Sequence, residues 1–550
     1  MAGKFTIGVD FGTLSARAVA FELATGREVA EAVFEYPHGV MDVQLPSGRK
    51  LPPHFALQHP QDYLDALSFV VKEVLRSVPA EEVGGICLDF TTCTVVCVDE
   101  KGVPLCMKPE FADEPHAYVK LWKHHGAVKQ AQAFDRVAKE KGATWPDFCG
   151  GTSSSEWLFP KILETAQEAP EVYRRTDRFF DAVDWMSLVL TGKETHNPCT
   201  AGLKGFWTRE QGFPDNEYFR AVDPVLDGII GTKVCSKVNR VDELAGRINA
   251  AGAALTGLIE GTPVAIPVGD AHAAMPALNV TNDGESLLVV GTSGVLMVNT
   301  NEPVAVPGIC AMTDRGIIPD LCSMEAGQAG LGDCFDWFVS HCVPEDYRLE
   351  ARQQGVSIHQ LLRQKAMAYR PGQSRLLALD WWNGNRSILK NDGLSGMILG
   401  LNMQTRPEEI YRALIEATAF GLRVILDNYE AHGVKIGDIC AAGGIAMKDS
   451  MLMQIYADVL NRTLRVGDSS QAGARGSAMY AAVAAGAFPD IRAAAAAYAK
   501  PEKAVYTPNA ENVALYDKLY REYKKLHDYF GMENKVMDRL YDIYNLGEKA

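Results

Sequence analysis

Two stretches half a chain apart share one pattern, and that pattern limits the folds open to this sequence. Val9-Asp10-Phe11-Gly12-Thr13-Leu14-Ser15 closes an apolar, β-rich segment running from Phe5 to Asp10, and Arg17 to Phe21 continues beyond it. Val289-Val290-Gly291-Thr292-Ser293 closes the segment Ser286 to Val290, and Leu296 to Val298 continues. Each reads as strand, Gly-Thr turn with a nearby serine, strand. Gly12 and Gly291 are 279 residues apart (291 − 12) in a chain of 550. Chance alone supplies hairpin signals of this size. One near the start of each half is also what a duplicated unit leaves behind. A boundary is expected near Asn279 to Gly284, where Asn279, Thr281, Asn282, Asp283 and Gly284 form a polar turn cluster. Length alone would allow about three or four units. The repeat favours two large halves, residues 1–280 and 281–550.

The rest of the chain fits α/β halves. Arg27 to Tyr36 adds a third strand to an antiparallel meander, and later segments alternate helix and strand. Pro60 to Arg76 has helical periodicity and precedes the strand Gly85 to Phe90. Glu409 to Tyr429 is a stronger helix, with Ile410, Ala413, Leu414, Ala417, Gly421, Val424 and Ile425 on one face. Thr405 and Glu408 stand at capping-box spacing before it, and Gly433 can end it. The strand Ile436 to Ala442, two glycines and a helix from Ser450 to Asn461 follow. Near the C-terminus, Tyr516, Leu519, Tyr520, Tyr523, Leu526 and Phe530 form a stripe at helical spacing. Packing back onto a half is the ordinary reading of such a stripe, and a homodimer contact is the alternative.

Charge and cysteines narrow the class. Lys and Arg total 54 against 69 Asp and Glu, a formal charge of −15. That balance disfavours a nucleic-acid or membrane-surface binder, because phosphates are repelled except at a local basic patch. No signal-peptide pattern opens the chain, and no apolar run approaches the ~18 residues of a membrane span. The 12 cysteines are scattered without a C-x-x-C pair. Reduced thiols, with Cys87, Cys93 and Cys97 in a core region, and a cytoplasmic location are expected.

Paired Gly-Thr hairpins suit phosphate chemistry. Glycine lets the backbone approach an anion, successive turn amides form a nest for it, and the Thr13, Ser15, Thr292 and Ser293 hydroxyls add donors. Two such turns across a cleft could hold the phosphates of a nucleotide. Asp10 ends the first strand, within reach of a hydrated Mg²⁺, although a turn-initiating aspartate is the ordinary reading. Arg17 could meet phosphate or lie on the surface. The P-loop, the G-x-G-x-x-G fingerprint and the protein-kinase motif set are absent, so any bound ATP uses a different cradle.

These residues and seven longer motifs resemble the FGGY carbohydrate kinases, within the actin/hexokinase/Hsp70 fold superfamily. The motifs are Ile7-Gly-Val-Asp-Phe-Gly-Thr13, Asp89-Phe-Thr-Thr-Cys-Thr94, Val119-Lys-Leu-Trp-Lys-His-His125, Cys199-Thr-Ala-Gly-Leu-Lys204, Gly269-Asp-Ala-His-Ala-Ala274, Met324-Glu-Ala-Gly-Gln328 and Trp381-Trp-Asn-Gly-Asn-Arg-Ser387. They occur in the family's order over essentially the whole length. They are closest to the members that phosphorylate L-ribulose in arabinose utilisation. The Trp-x-Asp-x-Arg segment of glycerol and xylulose kinases is missing, and Val119 to His125 stands in its region. The literal F-G-G-Y tetrapeptide is absent too.

The resemblance implies two RNase-H-like domains around a deep cleft, with sugar mainly on the first and ATP mainly on the second. Gly12 and Thr13 correspond to its first phosphate motif, Gly291, Thr292 and Ser293 to the second, and Gly443 and Gly444 to the adenosine motif. Asp270 corresponds to the catalytic base, which accepts a sugar hydroxyl proton as that oxygen attacks the γ-phosphorus. Taken alone, Asp270 reads as a helix N-cap. Lys204, Glu325 and Thr92 correspond to ketopentose contacts; the apolar settings of Lys204 and Glu325 favour partial burial, and Thr92 otherwise reads as a strand residue. Trp122 and Lys123 could line the sugar pocket, His272 reads as a packed core histidine, and Trp381 and Trp382 as packing aromatics. The implied partners are ATP, Mg²⁺ and L-ribulose or a related ketopentose such as D-ribulose. The implied location of the Mg²⁺ water shell is beside Asp10 and Asp270. A non-catalytic actin-like ATP-binding module is the distant alternative.

Overall fold

The computed structural model describes residues 3–468, 470–500 and 502–548. The first sheet is built from β1 (Phe5–Phe11), β2 (Ser15–Glu22), β3 (Glu28–Glu35), β4 (Val83–Phe90), β5 (Leu244–Arg247), β6 (Pro263–Ala265) and β7 (Val268–Gly269). Its order is β3-β2-β1-β4-β6-β5, with β7 also pairing β4. The second sheet contains β8 (Ser286–Val290), β9 (Gly294–Thr300), β10 (Ala311–Asp314), β11 (Cys322–Gln328), β12 (Ile439–Ala442), β13 (Leu464–Val466) and β14 (Ala504–Tyr506). Its order is β10-β11-β9-β8-β12-β13-β14.

The two halves repeat one scheme. A Gly-Thr hairpin opens each, β1–β2 and β8–β9, and a third antiparallel strand extends it. A parallel strand, β4 or β12, then lies beside the first. These central strands are covered on both faces, which is why they read as nearly continuous apolar runs. Ile7, Val9, Phe11, Ile86 and Leu88 are fully buried.

Eight helices place the site. They are α1 (Pro60–Val74), α2 (Leu158–Glu168), α3 (Pro198–Lys204), α4 (Asp270–Ala277), α5 (Pro407–Ala431), α6 (Gly444–Lys448), α7 (Ala472–Ala484) and α8 (Ala510–Asp528). Helix α1 buries Tyr63, Leu67, Val70, Val71 and Val74, as its spacing predicts. Helix α5 starts two residues before the sequence expectation. Pro407 takes the first turn, and the Glu409 carboxylate accepts the Arg406 amide at 2.7 Å. The expected Thr405–Glu408 box does not form, because the Thr405 hydroxyl accepts the Asn402 amide instead, at 3.0 Å. Proline's fixed φ sets the helix start here. Gly433, with φ +85°, ends the helix as expected. Strand β12 is shorter than the expected 436–442, since the Gly437 amide turns back to the Gly284 carbonyl at 2.9 Å.

Helix α7 belongs to the second half of the sequence yet lies on the first sheet. A Cβ at Gly8 of β1 would run into the Ala474 carbonyl, and one at Gly476 into the Ala273 carbonyl of α4. Three backbones therefore meet at glycine, and no larger residue leaves that joint intact. The aromatic stripe of α8 packs back onto its own half. Tyr516, Tyr520 and Tyr523 are buried against α5, and their hydroxyls donate to Glu416, Asp427 and Asp380 at 2.9, 2.5 and 2.6 Å. Buried hydroxyls that find acceptors keep such aromatic burial favourable. Cys87, Cys93, Cys97 and Trp381 are core residues, and Trp382 is half-buried. No helix among the described residues is long and apolar enough to cross a membrane.

Candidate active site

The carboxyl ends of β1, β4 and β7 lie side by side. The parallel registers set Asp10 and Val268 beside Asp89, and Gly269 beside Phe90. One sheet edge thus gathers Asp10, Asp89 and Asp270, at the position where open α/β sheets take ligands. Phe11 and Phe90, each next to one of these aspartates, stack with centroids 4.9 Å apart and fix the two strand ends.

Three carboxyl groups this close cannot all ionise freely. Burial raises the Asp10 carboxyl, opposed by its hydrogen bond to Asp89 and by Arg17. Asp89 is raised much further, by burial and by the Asp10 charge. The Ser477 hydroxyl of α7 donates to Asp89 Oδ2 at 2.6 Å, while Asp89 Oδ1 has no hydrogen-bond partner. A Cβ at Gly473 would lie 3.0 Å from Asp10 Oδ2, so glycine keeps space open there.

Asp270 is the first residue of α4; the N-cap position belongs to Gly269. Its Oδ1 accepts the Ala271 amide at 2.7 Å. Burial, and then the Asp10 charge, push its carboxyl up to about 6. That value leaves it ionised near neutrality and basic enough to accept a proton. If Asp270 is the base, kcat/KM should rise about tenfold per pH unit up to about pH 6 and level off above, since only the carboxylate can accept. A cation at Asp10 would offset one cause of the shift and move this limb lower. A pH–rate series checks it, and the Asp270→Asn enzyme should lack the limb.

The lobe facing Asp270 is a ring of opposite charges. Lys204, the last residue of α3, is buried with its Nζ 3.5 Å from Glu156 Oε2. Glu325 projects from β11, with Oε2 3.2 Å from His272 Nε2 and Oε1 3.5 Å from Arg386 Nη2. The His272–Glu325 contact lies off the line of a hydrogen bond, so it acts as an ion pair. Burial works against the His272 cation, but Cys199 and Glu325 outweigh it and raise the ring to about 10. Burial likewise opposes the Glu325 charge, and His272, Arg386 and Lys204 hold it at about 2. Glu325 and Arg386 come from the second half, and Lys204, Glu156 and His272 from the first. The ring therefore spans the halves. Lys390 ties the same edge, donating to the Cys149 and Thr152 carbonyls at 2.9 and 3.0 Å.

Thr92 lies in the turn after β4, not in a strand. Its methyl fills the space that Gly269 leaves without a Cβ, which sets it beside Asp270. Lys161 of α2 supports this turn from beneath, donating to the Cys93 carbonyl at 2.7 Å.

Both Gly-Thr turns sit at strand ends. The Gly12 amide donates to the Ser15 carbonyl, and the Gly291 amide to the Ser293 carbonyl. Trp122 donates its indole N–H to Thr13 Oγ1 at 3.1 Å, and Gln58 donates to the Thr13 carbonyl at 2.7 Å. Arg17 Nη1 reaches Gln471 at 3.2 Å and its Nε is an orphaned buried donor. Ser15 begins β2 and is half-buried. Gly443, with φ +99°, leads into α6; a Cβ there would press on the Val290 backbone. A Cβ at Gly444 would meet nothing within 4 Å, so its surface is open for close approach.

Sequence reasoning gave no role to Asp89, Glu156, Arg386 or Ser477. Asp89 carries a signal, since Val-Asp-Phe and Leu-Asp-Phe end two apolar strands in the same way. The others sit in loops or on a distant helix, and only folding brings Glu156 and Arg386 to the ring and Ser477 to Asp89.

Comparison with known proteins gives one family. Residues 5–276 match the N-terminal domain model of the FGGY family of carbohydrate kinases, and residues 287–485 match its C-terminal domain model. A protein of Bacillus licheniformis named ribulokinase is 45% identical over 540 residues, covering 97% of this chain and 98% of its own. A protein of the same name from Halalkalibacterium halodurans is 46% identical over 548 residues, covering 98% and 97%. The fold matches that of a ligand-bound xylulose kinase from Lactobacillus acidophilus, with a TM-score of 0.80, 18% identity, and coverage of 96% and 99%.

Proposed function

The chain belongs to the FGGY family of carbohydrate kinases, and on that footing we propose that it transfers the γ-phosphoryl group of ATP to the terminal 5-hydroxyl of L-ribulose. One observation carries the reading. A single carboxylate poised near pH 6 stands beside a ring of charged donors and acceptors suited to a small polyol. The similarity of the whole chain to proteins named ribulokinase supports the choice of sugar.

In this reading residues 1–280 bind mainly the sugar and residues 281–550 mainly ATP. Lys204 donates to sugar oxygens, Glu325 accepts from hydroxyls, and Thr92 closes the wall beside the reacting end. Asp270 takes the proton of the 5-hydroxyl as that oxygen attacks the γ-phosphorus. The bond to the β–γ bridging oxygen breaks, and ADP carries that oxygen away. The transition state is loose, so alignment and charge stabilisation supply most of the rate. Gly12, Thr13, Ser15 and Arg17 hold phosphate from one side, and Gly291, Thr292 and Ser293 from the other. Gly443 and Gly444 admit adenosine.

The donor set also fits Mg²⁺. Asp10 offers hard carboxylate oxygen, Asp89 Oδ1 is an unpartnered acceptor beside it, and Gly473 leaves room. Asp10 would hold the ion through its water shell, with Asp270 at the edge of that shell. Bound Mg²⁺ would neutralise charge on the phosphates.

Ketopentose epimers differ only in the direction of a hydroxyl, so a panel decides among them. With ATP and Mg²⁺, L-ribulose should give the highest kcat/KM in a coupled ADP assay against D-ribulose, D-xylulose and ribitol. A preference for D-ribulose or ribitol would replace the proposed substrate. Sugar-independent ADP release alone would favour an ATP-binding module without sugar chemistry.

A further inference from the structure

A second cluster of ligating side chains lies outside the cleft, at the corner where β3 leads towards α1. His38, His59 and Asp62 each offer one ligand atom there, and the three atoms lie within 4.8 Å of one another. From this juxtaposition we propose a binding site for a divalent transition-metal ion of the zinc type.

Asp62, in the first turn of α1, is buried and serves as the anchor. Its Oδ2 accepts the His38 amide at 3.1 Å, and its Oδ1 stands 2.7 Å from His38 Nδ1. His38 is therefore pinned at both backbone and ring, although its side chain stays 37% exposed. The His59 ring stacks on the His38 ring, with centroids 4.6 Å apart and planes 19° from parallel. It is held by the Gln61 amide, which donates to Nδ1 at 3.2 Å. A tetrahedral shell with bonds of about 2.0–2.1 Å has edges of about 3.3 Å. To share one ion the two rings must turn out of their stack, and the ion replaces the proton of the His38–Asp62 hydrogen bond. Two imidazoles with one carboxylate suit zinc, nickel or copper, whereas magnesium and calcium prefer all-oxygen shells. The exposed side leaves a coordination position for water.

A second triad, His116, Glu164 and Glu168, makes a useful contrast. There Glu164 is already engaged by Lys120 at 2.5 Å and by His124 at 2.9 Å, so its charge is satisfied. Among the described residues no lysine or arginine is paired with Asp62, whose partners are the His38 amide and ring.

The occupied site would join residue 38 to the start of α1. Gln58, beside His59, donates to the Thr13 carbonyl, so the ion would brace the support of the first Gly-Thr turn.

Titration calorimetry of the metal-free full chain with Zn²⁺, under excess Mg²⁺ and reducing conditions, tests this. Wild type should bind one equivalent more than His38→Ala and one more than His59→Ala, with Zn²⁺ raising the Tm of wild type alone. Exposed thiols contribute equally to all three proteins and cancel in the difference. Unchanged kinase turnover without Zn²⁺ would show that the variants are folded. Equal stoichiometry in the three proteins overturns the proposal and leaves His38–Asp62 as a hydrogen bond that ties the corner.

Discussion

Asp270→Asn should lower sugar-dependent ADP formation by about 10³-fold while leaving ATP binding nearly unchanged. A positioned general base contributes about 10²–10⁴-fold, and asparagine keeps the size of the side chain without its basicity. The Ala271 amide would still find an oxygen on residue 270, so the start of α4 should stay folded. Burial and the Asp10 charge raise the Asp270 carboxyl, and asparagine removes the charge on which both act, so stability should change little. Nucleotide affinity measured by fluorescence, beside single-turnover rates, separates the two effects. Turnover within a few-fold of wild type would remove Asp270 from the role of base.

Lys204→Met should act on the sugar instead. A charge-assisted hydrogen bond contributes about 1.5–3 kcal/mol, so kcat/KM for the sugar should fall by about 10- to 150-fold. The loss should appear mainly as a raised KM for sugar, with KM for ATP nearly constant. The substitution also removes the cation 3.5 Å from Glu156. Breaking a buried pair costs about 3–5 kcal/mol when the remaining charge has no other partner. The Arg386 charge still acts on Glu156, so the loss of stability should lie at or below the low end of that range. A sugar KM within threefold of wild type would place the ketopentose elsewhere.

The sheets were legible because each central strand is an apolar run ended by Gly-Thr, Asp-Phe or, for β12, Gly-Gly. Helix α5 was legible from its apolar face, but its start was set by Pro407, where local ring geometry overrode the Thr405–Glu408 spacing. The docking of α7 on the first sheet was not legible. Gly8 meets Ala474, and Gly476 meets Ala273, through backbone contacts that leave no periodic trace. The site divides in the same way. Asp270, Lys204 and Glu325 stood out through the family motifs, whereas taken alone each reads as a cap or a solvated charge. Asp89 was visible only as the second of two Asp-Phe strand ends. Arg386 escaped because its loop has no regular structure, and its meaning is a tertiary contact with Glu325. The charge of −15 disfavoured polyanions in general, yet the cleft gathers cations and turn amides of its own.

The most direct measurement is the identity of the product. Incubation with ATP, Mg²⁺ and L-ribulose, followed by phosphorus and carbon NMR, should show one new phosphomonoester coupled to C5 and one ADP for each sugar consumed. ADP with inorganic phosphate and unchanged sugar, or a phosphate on another carbon, would contradict the account.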